Sequence, residues 1–282
     1  MLTPRGVFCF SGRTVTGHTE ATLNISKGFK KWIEWLGEFT LFTARTVQSA
    51  GHIGRRSGIF LNQCEFIGVS SLGILTVAAI FIGAVLGYQL YKSFELFGAQ
   101  ALVGGTLGVG IFREMAPVIG AIMVTGRAGA GIGAEIASMR VTEQIDALEV
   151  MGVNPHEYLV VPRVLAGATM MPLLAFLFGG VASLASALIA CGVLDLSYPV
   201  FWKGFRQWTD WIDLLHCFMK SISFGAALSL MGCFYGFRAS GGARSVGLST
   251  RSTVVAACLT ILLLDYFWTM ILPLRGSQLI LK

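Results

Sequence analysis

The sequence predicts an all-α polytopic membrane protein, with an N-terminal amphipathic helix at the membrane interface and about five transmembrane helices. The 282 residues are 54% hydrophobic and only 13% charged, about half the charged share of a typical soluble protein. The apolar residues also lie in long blocks, because residues 66–91 and 164–194 contain no charged side chain. A bilayer-spanning helix needs about 20 such residues, so the composition excludes an ordinary soluble enzyme.

Residues 1–26 are predicted to form a polar N-terminal tail. They are rich in serine and threonine and lack the apolar core of a secretory signal. A loose cytoplasmic tail is favoured because the segment contains few arginines. The alternative is a weak transit peptide, which is typically rich in serine and poor in acidic residues.

Residues 27–50 are predicted to form an amphipathic helix, because apolar residues recur at three- and four-residue spacing. Lysines and glutamates between these positions prevent the helix from crossing the membrane. Basic residues near one end, together with Trp32 and Trp35, favour a helix that lies in the membrane interface. The alternative is a soluble helix packed on a partner protein.

Five apolar segments follow this helix. We predict membrane spans at about 65–91, 100–137, 164–190, 214–237 and 252–274, with a C-terminal tail at 276–282. The second span is rich in glycine and contains Pro117, which predicts one long kinked helix or two shorter ones. Small residues let membrane helices approach closely, and we expect a homodimer from the glycines at positions 83, 87, 104, 108, 129 and 133.

The basic residues are distributed unevenly between the two sides of these spans. One side carries Lys27, Lys30, Lys31, Arg45, Arg55, Arg56, Arg140, Arg163, Arg238, Arg244 and Arg251, and the other carries Lys92, Lys203, Arg206, Arg275 and Lys282. The positive-inside rule therefore places the N-terminus in the cytoplasm. It also explains the net charge of +6 without a nucleic-acid partner. Trp202, Trp208 and Trp211 then lie near the outer interface, as in an aromatic belt.

A short helix is predicted at about 142–151, in the loop between the second and third spans. Thr142 is a candidate N-cap, Gly152 occupies the position of a C-terminal glycine, and Pro155 ends the segment. One face is acidic and the other apolar. The residues concerned are Glu143, Gln144, Ile145, Asp146, Leu148, Glu149 and Met151. Such a short helix needs support, either from a neighbouring subunit or from its own membrane domain.

The segments 113–135, 139–155 and 161–163 resemble the MlaE/YrbE family of ABC-transporter permeases. This family includes the plastid lipid permease of the TGD system. The later segments 213–221, 249–253 and 264–267 agree with the resemblance, which covers roughly residues 27–275. The block at 113–163 is long and specific, whereas residues 1–26 lie outside the resemblance.

The resemblance implies a homodimeric permease subunit of an ATP-driven transporter that moves phospholipid between the inner membrane and the outer envelope. Its implied partners are a cytoplasmic ABC ATPase, an MCE-domain substrate-binding protein and, in some members, a STAS-domain protein. The helix at 142–151 matches the family's coupling helix, which docks into the ATPase. The implied location is the cell inner membrane, with the plastid inner envelope as the alternative.

Charged residues inside the predicted spans are candidates for the lipid path, because each costs roughly 2.5–3.5 kcal/mol to insert unless it finds a partner or water. Arg113 and Glu114 precede Pro117 in the second span, and Lys220 lies in the fourth. The resemblance implies that Arg113 and Glu114 line a lipid cavity near the dimer axis. From the Pro117 distortion we hypothesise that the 113–117 turn borders this cavity, with Lys220 as a second cation. The alternative is structural pairing, for example of Glu114 with Lys220. Asp265 is expected to pair or cap inside the protomer, and Arg127 and Glu135 are expected to cap helices or anchor loops.

Nothing in the sequence predicts catalysis by this chain alone. The run Gly242–Ser249 has the spacing of a phosphate loop, but Leu248 replaces the required lysine, and we interpret it as a turn. We expect no metal and no cofactor here, with ATP and magnesium bound by the ATPase. Two other function classes remain open: a non-transporting membrane scaffold, and a secondary transporter, which the lack of an internal repeat disfavours.

Overall fold

The computed structural model describes residues 16–49 and 57–271, which form helices and no strand. The chain divides into two compact units, Met1–Arg45 and Thr46–Lys282. Each predicted terminal segment, 1–26 and 276–282, lies wholly or partly outside the described residues. Arg55 and Arg56 also lie outside them.

The described part of the first unit is helical and belongs to α1 (Thr16–Ser49). This helix begins eleven residues before the predicted start at residue 27. The apolar periodicity marks where the amphipathic face begins, and a polar stretch before it can continue the same helix. Trp35 and Phe39 are one turn apart and stack with their ring centroids separated by 5.6 Å. The interfacial position of α1 stays a prediction.

The second unit contains five helical segments that are long and apolar enough to cross a membrane, which confirms the predicted polytopic fold. They are Gly58–Glu95, Gln100–Val141, His156–Gly192, Trp211–Phe237 and Ala243–Ile271. Each begins earlier than the sequence predicted or at nearly the same residue. The largest difference in starting residue is in the fifth segment, because residues 243–251, which precede its apolar part, already belong to the helix.

The first span is broken near its beginning. Helix α2 (Ser57–Ile67) is followed by a 3₁₀ turn at Val69–Ser71 and then by α3 (Leu72–Glu95). The predicted start at residue 65 therefore falls inside α2. Gly68 permits the break, since a Cβ atom there would lie 2.8 Å from both the Cys64 carbonyl oxygen and the Met170 sulfur.

The second span is one continuous helical segment, so the alternative of two separate helices is excluded. It consists of α4 (Val103–Gly110), α5 (Ala116–Val124) and α6 (Ala130–Val141), joined by π-helical turns at Ile111–Met115 and Thr125–Gly129. The expected distortion near Pro117 is the first of these π turns. A π turn widens the helix by one residue and is common at functional sites.

The remaining helices complete the bundle. They are α7 (Gln144–Val150), α8 (Val161–Gly192, preceded by a π turn at His156–Val160), α9 (Tyr198–Trp208), α10 (Trp211–Phe237) and α11 (Ala243–Ile271). Helix α8 packs on both α3 and α10, and α11 packs on α10 and α6. Helix α9 was not predicted, although Ser197 and Pro199 at its start are helix-initiation signals.

Several of the glycines that suggested self-association instead pack helices within one protomer. A Cβ atom on Gly83 would lie 2.2 Å from the Ala182 carbonyl oxygen, and one on Gly87 would lie 2.8 Å from that of Ser186. The Ser186 hydroxyl also donates a hydrogen bond to the Gly83 carbonyl, at 2.7 Å. These contacts explain the glycine spacing without a second copy of the chain, so it does not by itself indicate a dimer.

Candidate functional site

Pro117 and the preceding π turn shape the charged part of the second span. Pro117 lies at the start of α5 and is buried. It has no backbone N–H group to donate to the previous turn, and the wider π geometry accommodates this. Its contribution is to the backbone, because its buried ring does not line the surface of this chain as predicted.

Arg113 binds a carboxylate at the beginning of α10. Its Nε atom donates to Oδ1 of Asp213, whose side chain is buried. The other carboxylate oxygen of Asp213 accepts a hydrogen bond from the backbone N–H of Asp210, at 2.9 Å, as part of a capping box. Asp213 therefore starts α10 and ties it to the π turn.

Lys220 lies at the centre of a cluster formed by three spans. Its ammonium group donates to both carboxylate oxygens of Glu114, at 3.0 and 2.9 Å. It also donates to Asp265 Oδ1 at 2.7 Å and to the Thr269 hydroxyl at 2.9 Å. Because these partners come from the π turn and α11, the lysine on α10 joins all three elements. The pairing of Glu114 with Lys220 that the sequence left as an alternative is the arrangement observed, and Asp265 pairs inside the protomer as expected.

The cluster is accessible on one side only. The Lys220 side chain is 0% exposed, whereas 41% of the Glu114 side chain is exposed. Lys220 cannot serve as an open second cation in this arrangement, because its ammonium group is enclosed by its partners. Of the four predicted lipid-path residues, Glu114 is therefore the one that presents most of a charged group to the surroundings.

Two members of this charged region were not predicted. Asp213 was not considered as a partner of Arg113, although Asp210 and Asp213 have the spacing of a cap at a helix start. Thr269 carries no charge and lies near the end of an apolar helix, so the sequence gives no sign of its role. His216 is also buried in this charged region, and its Nε2 atom has no hydrogen-bond partner.

Two further arginines hold the α6 end of the bundle together. Arg163 is buried, pairs with Glu135 at 2.9 Å and donates to the Leu159 carbonyl at 2.8 Å. Arg127 donates to the Phe66 carbonyl at 2.8 Å and to the Ser71 hydroxyl at 3.0 Å. The contacts of Arg127 agree with loop anchoring, since they fix the break between α2 and α3. Glu135 instead joins α6 to α8 through its pair with Arg163.

Helix α7 lies at the end of the bundle where α6 ends and α8 begins. Its start differs from the prediction: Thr142 does not cap α7, because its hydroxyl donates to the Ser138 carbonyl at the end of α6. Glu143 precedes α7 with a left-handed backbone, φ 59°. The capping pattern in the sequence did not predict this turn, because the turn depends on the backbone conformation of Glu143.

The end of α7 agrees with the predicted glycine termination. Gly152 has φ 74°, and its N–H group donates to the Glu149 carbonyl at 2.9 Å. The N–H group of Val153 reaches back to the Leu148 carbonyl, also at 2.9 Å. These two bonds form a Schellman motif, which satisfies carbonyl groups at the helix end.

The side chains of α7 divide into one anchor and an exposed surface. Ile145 is 1% exposed and holds the helix on its own protomer, so it is not available for the direct partner contact predicted for it. Val150 and Met151 are 88% and 67% exposed. Gln144, Asp146 and Glu149 are also exposed, as is Glu143, and Leu148 is partly buried. Asp146 forms an ion pair with Arg140.

Comparison with known families identifies the family to which this chain belongs. The family model described as Permease MlaE matches residues 60–271, which include α7 and all of the five spans except the first two residues of the first. The chain belongs to the MlaE permease family. This confirms the resemblance found in the sequence, and it makes the five-span bundle with its short helix α7 the permease fold.

Relatives in the MlaE permease family are similar in sequence to this protein over most of its length. A probable ABC transporter permease of Synechocystis is 36% identical over 222 residues, covering 78% of this chain and 84% of the relative. One of Rickettsia conorii is 34% identical over 246 residues, covering 87% and 95%. The chloroplastic protein Trigalactosyldiacylglycerol 1 of Arabidopsis thaliana is 35% identical over 210 residues, covering 73% and 59%. An ABC transporter permease is the membrane-spanning part of a transporter and works with an ATPase.

Proposed function

We propose that this chain is the permease subunit of an ATP-driven transporter that moves phospholipid between the inner membrane and the outer envelope. ATP and magnesium are bound by a separate cytoplasmic ATPase, so the permease performs no catalysis itself. The observation that carries the proposal is the exposed helix α7, held between two spans of an MlaE-family permease. The chain is placed in the cell inner membrane with a cytoplasmic N-terminus, the plastid inner envelope being the alternative.

The surface of α7 suits a partner with a groove that is both basic and apolar. Asp146 and Glu149 supply negative charge, while Val150 and Met151 present apolar side chains that this protomer leaves uncovered. Burial of such side chains against a partner is favourable. Ile145 fixes α7 to the bundle from inside, so a movement of α7 is transmitted to the spans.

A lipid substrate is supported by the region around Glu114, where a charged group adjoins apolar surface. The half-exposed Glu114 carboxylate lies among apolar helices that offer surface for acyl chains, and the lysine behind it keeps the charge in place. The name of the Arabidopsis relative is that of a lipid, trigalactosyldiacylglycerol. The resemblance to the family adds the homodimer, the MCE-domain protein and the STAS-domain protein as proposed partners.

The test is reconstitution of the permease with its co-purifying ATPase in vesicles that contain fluorescent phospholipid. Replacing Glu143, Asp146 and Glu149 with lysine should abolish ATP-dependent lipid transfer, because the acidic surface of α7 then repels a basic groove. The matched control is Glu65→Lys, which reverses an exposed charge on α2. Full transfer by the triple variant would contradict the docking role of α7, and a single permease copy in the assembled complex would contradict the homodimer.

A further inference from the structure

An open crevice lies between α8 and α9, at the end of the bundle opposite α7. Its volume is about 460 Å³. The walls are mostly apolar and include Phe112, Leu184, Trp202 and Phe205. Gly180 forms part of the floor, and a Cβ atom there would meet no atom within 4 Å. The crevice is therefore open enough to admit a flexible apolar chain.

A second crevice, which is basic, adjoins the first along α9. It has a volume of about 670 Å³ and is lined by Lys203 and Arg206, and both Trp202 and Arg206 are shared between the two crevices. Lys203 and Arg206 are three residues apart, so both lie on the same side of α9. Both are exposed, and neither forms a salt bridge within the part of the chain that the structure describes.

The first crevice also opens onto the apolar surface of α8. Leu184 is 57% exposed at its edge, and Leu188 is exposed one turn further along. Trp208, Trp211 and Tyr198 are exposed at the same end of the bundle, as aromatic residues are at membrane–water interfaces. An occupant of the site thus has its charged end at the interface and its apolar end against α8.

We propose that the two crevices together bind one anionic phospholipid from the surrounding leaflet, with its phosphate against Lys203 and Arg206 and an acyl chain along Leu184 and Gly180. The two unpaired cations select the negative headgroup, and the apolar crevice holds the chain. The site borders the π turn that carries Glu114, because Phe112 belongs to its lining, but neither Glu114 nor Lys220 lines it. It does not depend on the proposed transport, because a bound lipid at the interface is a property of the folded chain.

The test uses the purified full chain in nanodiscs of phosphatidylcholine that contain a small fraction of photoactivatable phosphatidylglycerol or photoactivatable phosphatidylcholine. Mass spectrometry maps the labelled peptides. We expect phosphatidylglycerol to label the segments 180–184 and 202–206 in preference to phosphatidylcholine. Each of Lys203→Gln and Arg206→Gln should reduce this labelling about fivefold, the effect of one cation near an anionic lipid surface. High salt should reduce it as well.

Two matched controls separate the site from general effects of charge and bulk. Lys92→Gln removes a cation at the same end of the bundle that is already paired with Glu95, and it should leave labelling unchanged. Gly180→Leu fills the apolar crevice and should reduce labelling. Gly192→Leu adds the same bulk near the end of α8, where a Cβ atom also meets no neighbour, and should have no effect.

Three results would overturn the proposal. The first is that the two lipids label these segments equally and that neither Lys203→Gln nor Arg206→Gln changes the labelling. The second is equal labelling of Gly180→Leu and Gly192→Leu. The third comes from intact membranes, where a photo-crosslinking amino acid at position 184 should capture phospholipid, and capture of a protein segment alone would assign the crevice to a partner protein.

Discussion

The burial of Lys220 gives this residue an unusually large effect on the bundle. One ammonium group lies against two carboxylates, those of Glu114 and Asp265, and it is fully enclosed. Breaking a buried ion pair by removing one partner typically costs about 3–5 kcal/mol, because the remaining charge is left uncompensated. Here two negative groups would be left without their shared cation. The lysine therefore stabilises the junction of the π turn, α10 and α11.

We expect Lys220→Met to lower the free energy of unfolding by about 3–5 kcal/mol. Glu114→Gln should cost less, since this carboxylate is half exposed and Asp265 still binds the lysine. The measurement is thermal unfolding of the purified chain in detergent. The control is Lys92→Met, which breaks an exposed pair that water screens, so its effect should be small. Equal unfolding temperatures for Lys220→Met and Lys92→Met would contradict this account.

The residues of the 113–117 turn differ in exposure, and we expect them to differ in the same order in their contact with lipid. A photo-crosslinking amino acid at position 114 should capture phospholipid in lipid-loaded membranes, because that side chain opens to the surroundings. Position 113 should capture less, since Arg113 is largely buried against Asp213, and buried position 117 serves as the internal control. Crosslinks to phospholipid only at outward-facing control positions, and none at 114, would exclude this turn from the lipid path.

At the scale of helices, close packing of α3 on α8 depends on Gly83 and Gly87, which lie one turn apart. Their missing side chains bring the α3 backbone against Ala182 and Ser186 of α8. Membrane helices associate chiefly through such van der Waals contact and through interhelical hydrogen bonds. The bond from the Ser186 hydroxyl to Gly83 supplies the second of these.

We expect Gly83→Leu to disrupt the α3–α8 contact, because a Cβ atom at this position would already lie 2.2 Å from a backbone oxygen. The loss should appear as a lower unfolding temperature and as faster proteolysis of the purified chain. Gly73→Leu is the matched control, since it lies in the same helix and its Cβ atom would meet nothing within 4 Å. If the two variants were equally stable, the contact would contribute nothing to the fold.

For the whole molecule, the five spans place α7 and α9 at opposite ends of the bundle. Helix α7 connects the second and third spans, and α9 connects the third and fourth. The uneven distribution of basic residues predicts that the α7 end faces the cytoplasm. The proposed ATPase contact and the proposed lipid site on α9 are therefore on different sides of the membrane.

This orientation predicts which new cysteines a membrane-impermeant maleimide reaches from outside intact cells. After replacement of the six natural cysteines with serine or alanine, Ser197→Cys before α9 should be labelled. Ala243→Cys at the start of α11 should be labelled only after the membrane is opened. Both positions are exposed on the chain, so accessibility alone does not distinguish them, and the reverse pattern would invert the topology.

Much of the fold could be predicted because long apolar blocks leave few alternatives in a membrane. Backbone groups in lipid must be satisfied within the segment, which favours helices. Helix ends were predicted less well. The capping pattern at Thr142 was overridden by the left-handed turn at Glu143, and α9 was missed because eleven mixed residues resemble an interfacial loop. The phosphate-loop spacing at 242–249 lies mostly inside α11 rather than in a turn.

The sequence by itself determined the class, the number of spans, the short acidic helix and the family, since each depends on local composition or on a long specific motif. The tertiary structure decided which charges meet. Arg113 with Asp213, and Lys220 with Glu114 and Asp265, are separated by 45 to 106 residues along the chain. Such pairs depend on how the helices pack and rotate, which no local pattern contains. The same packing buries Lys220, leaves Glu114 half open and forms the crevice beside α9.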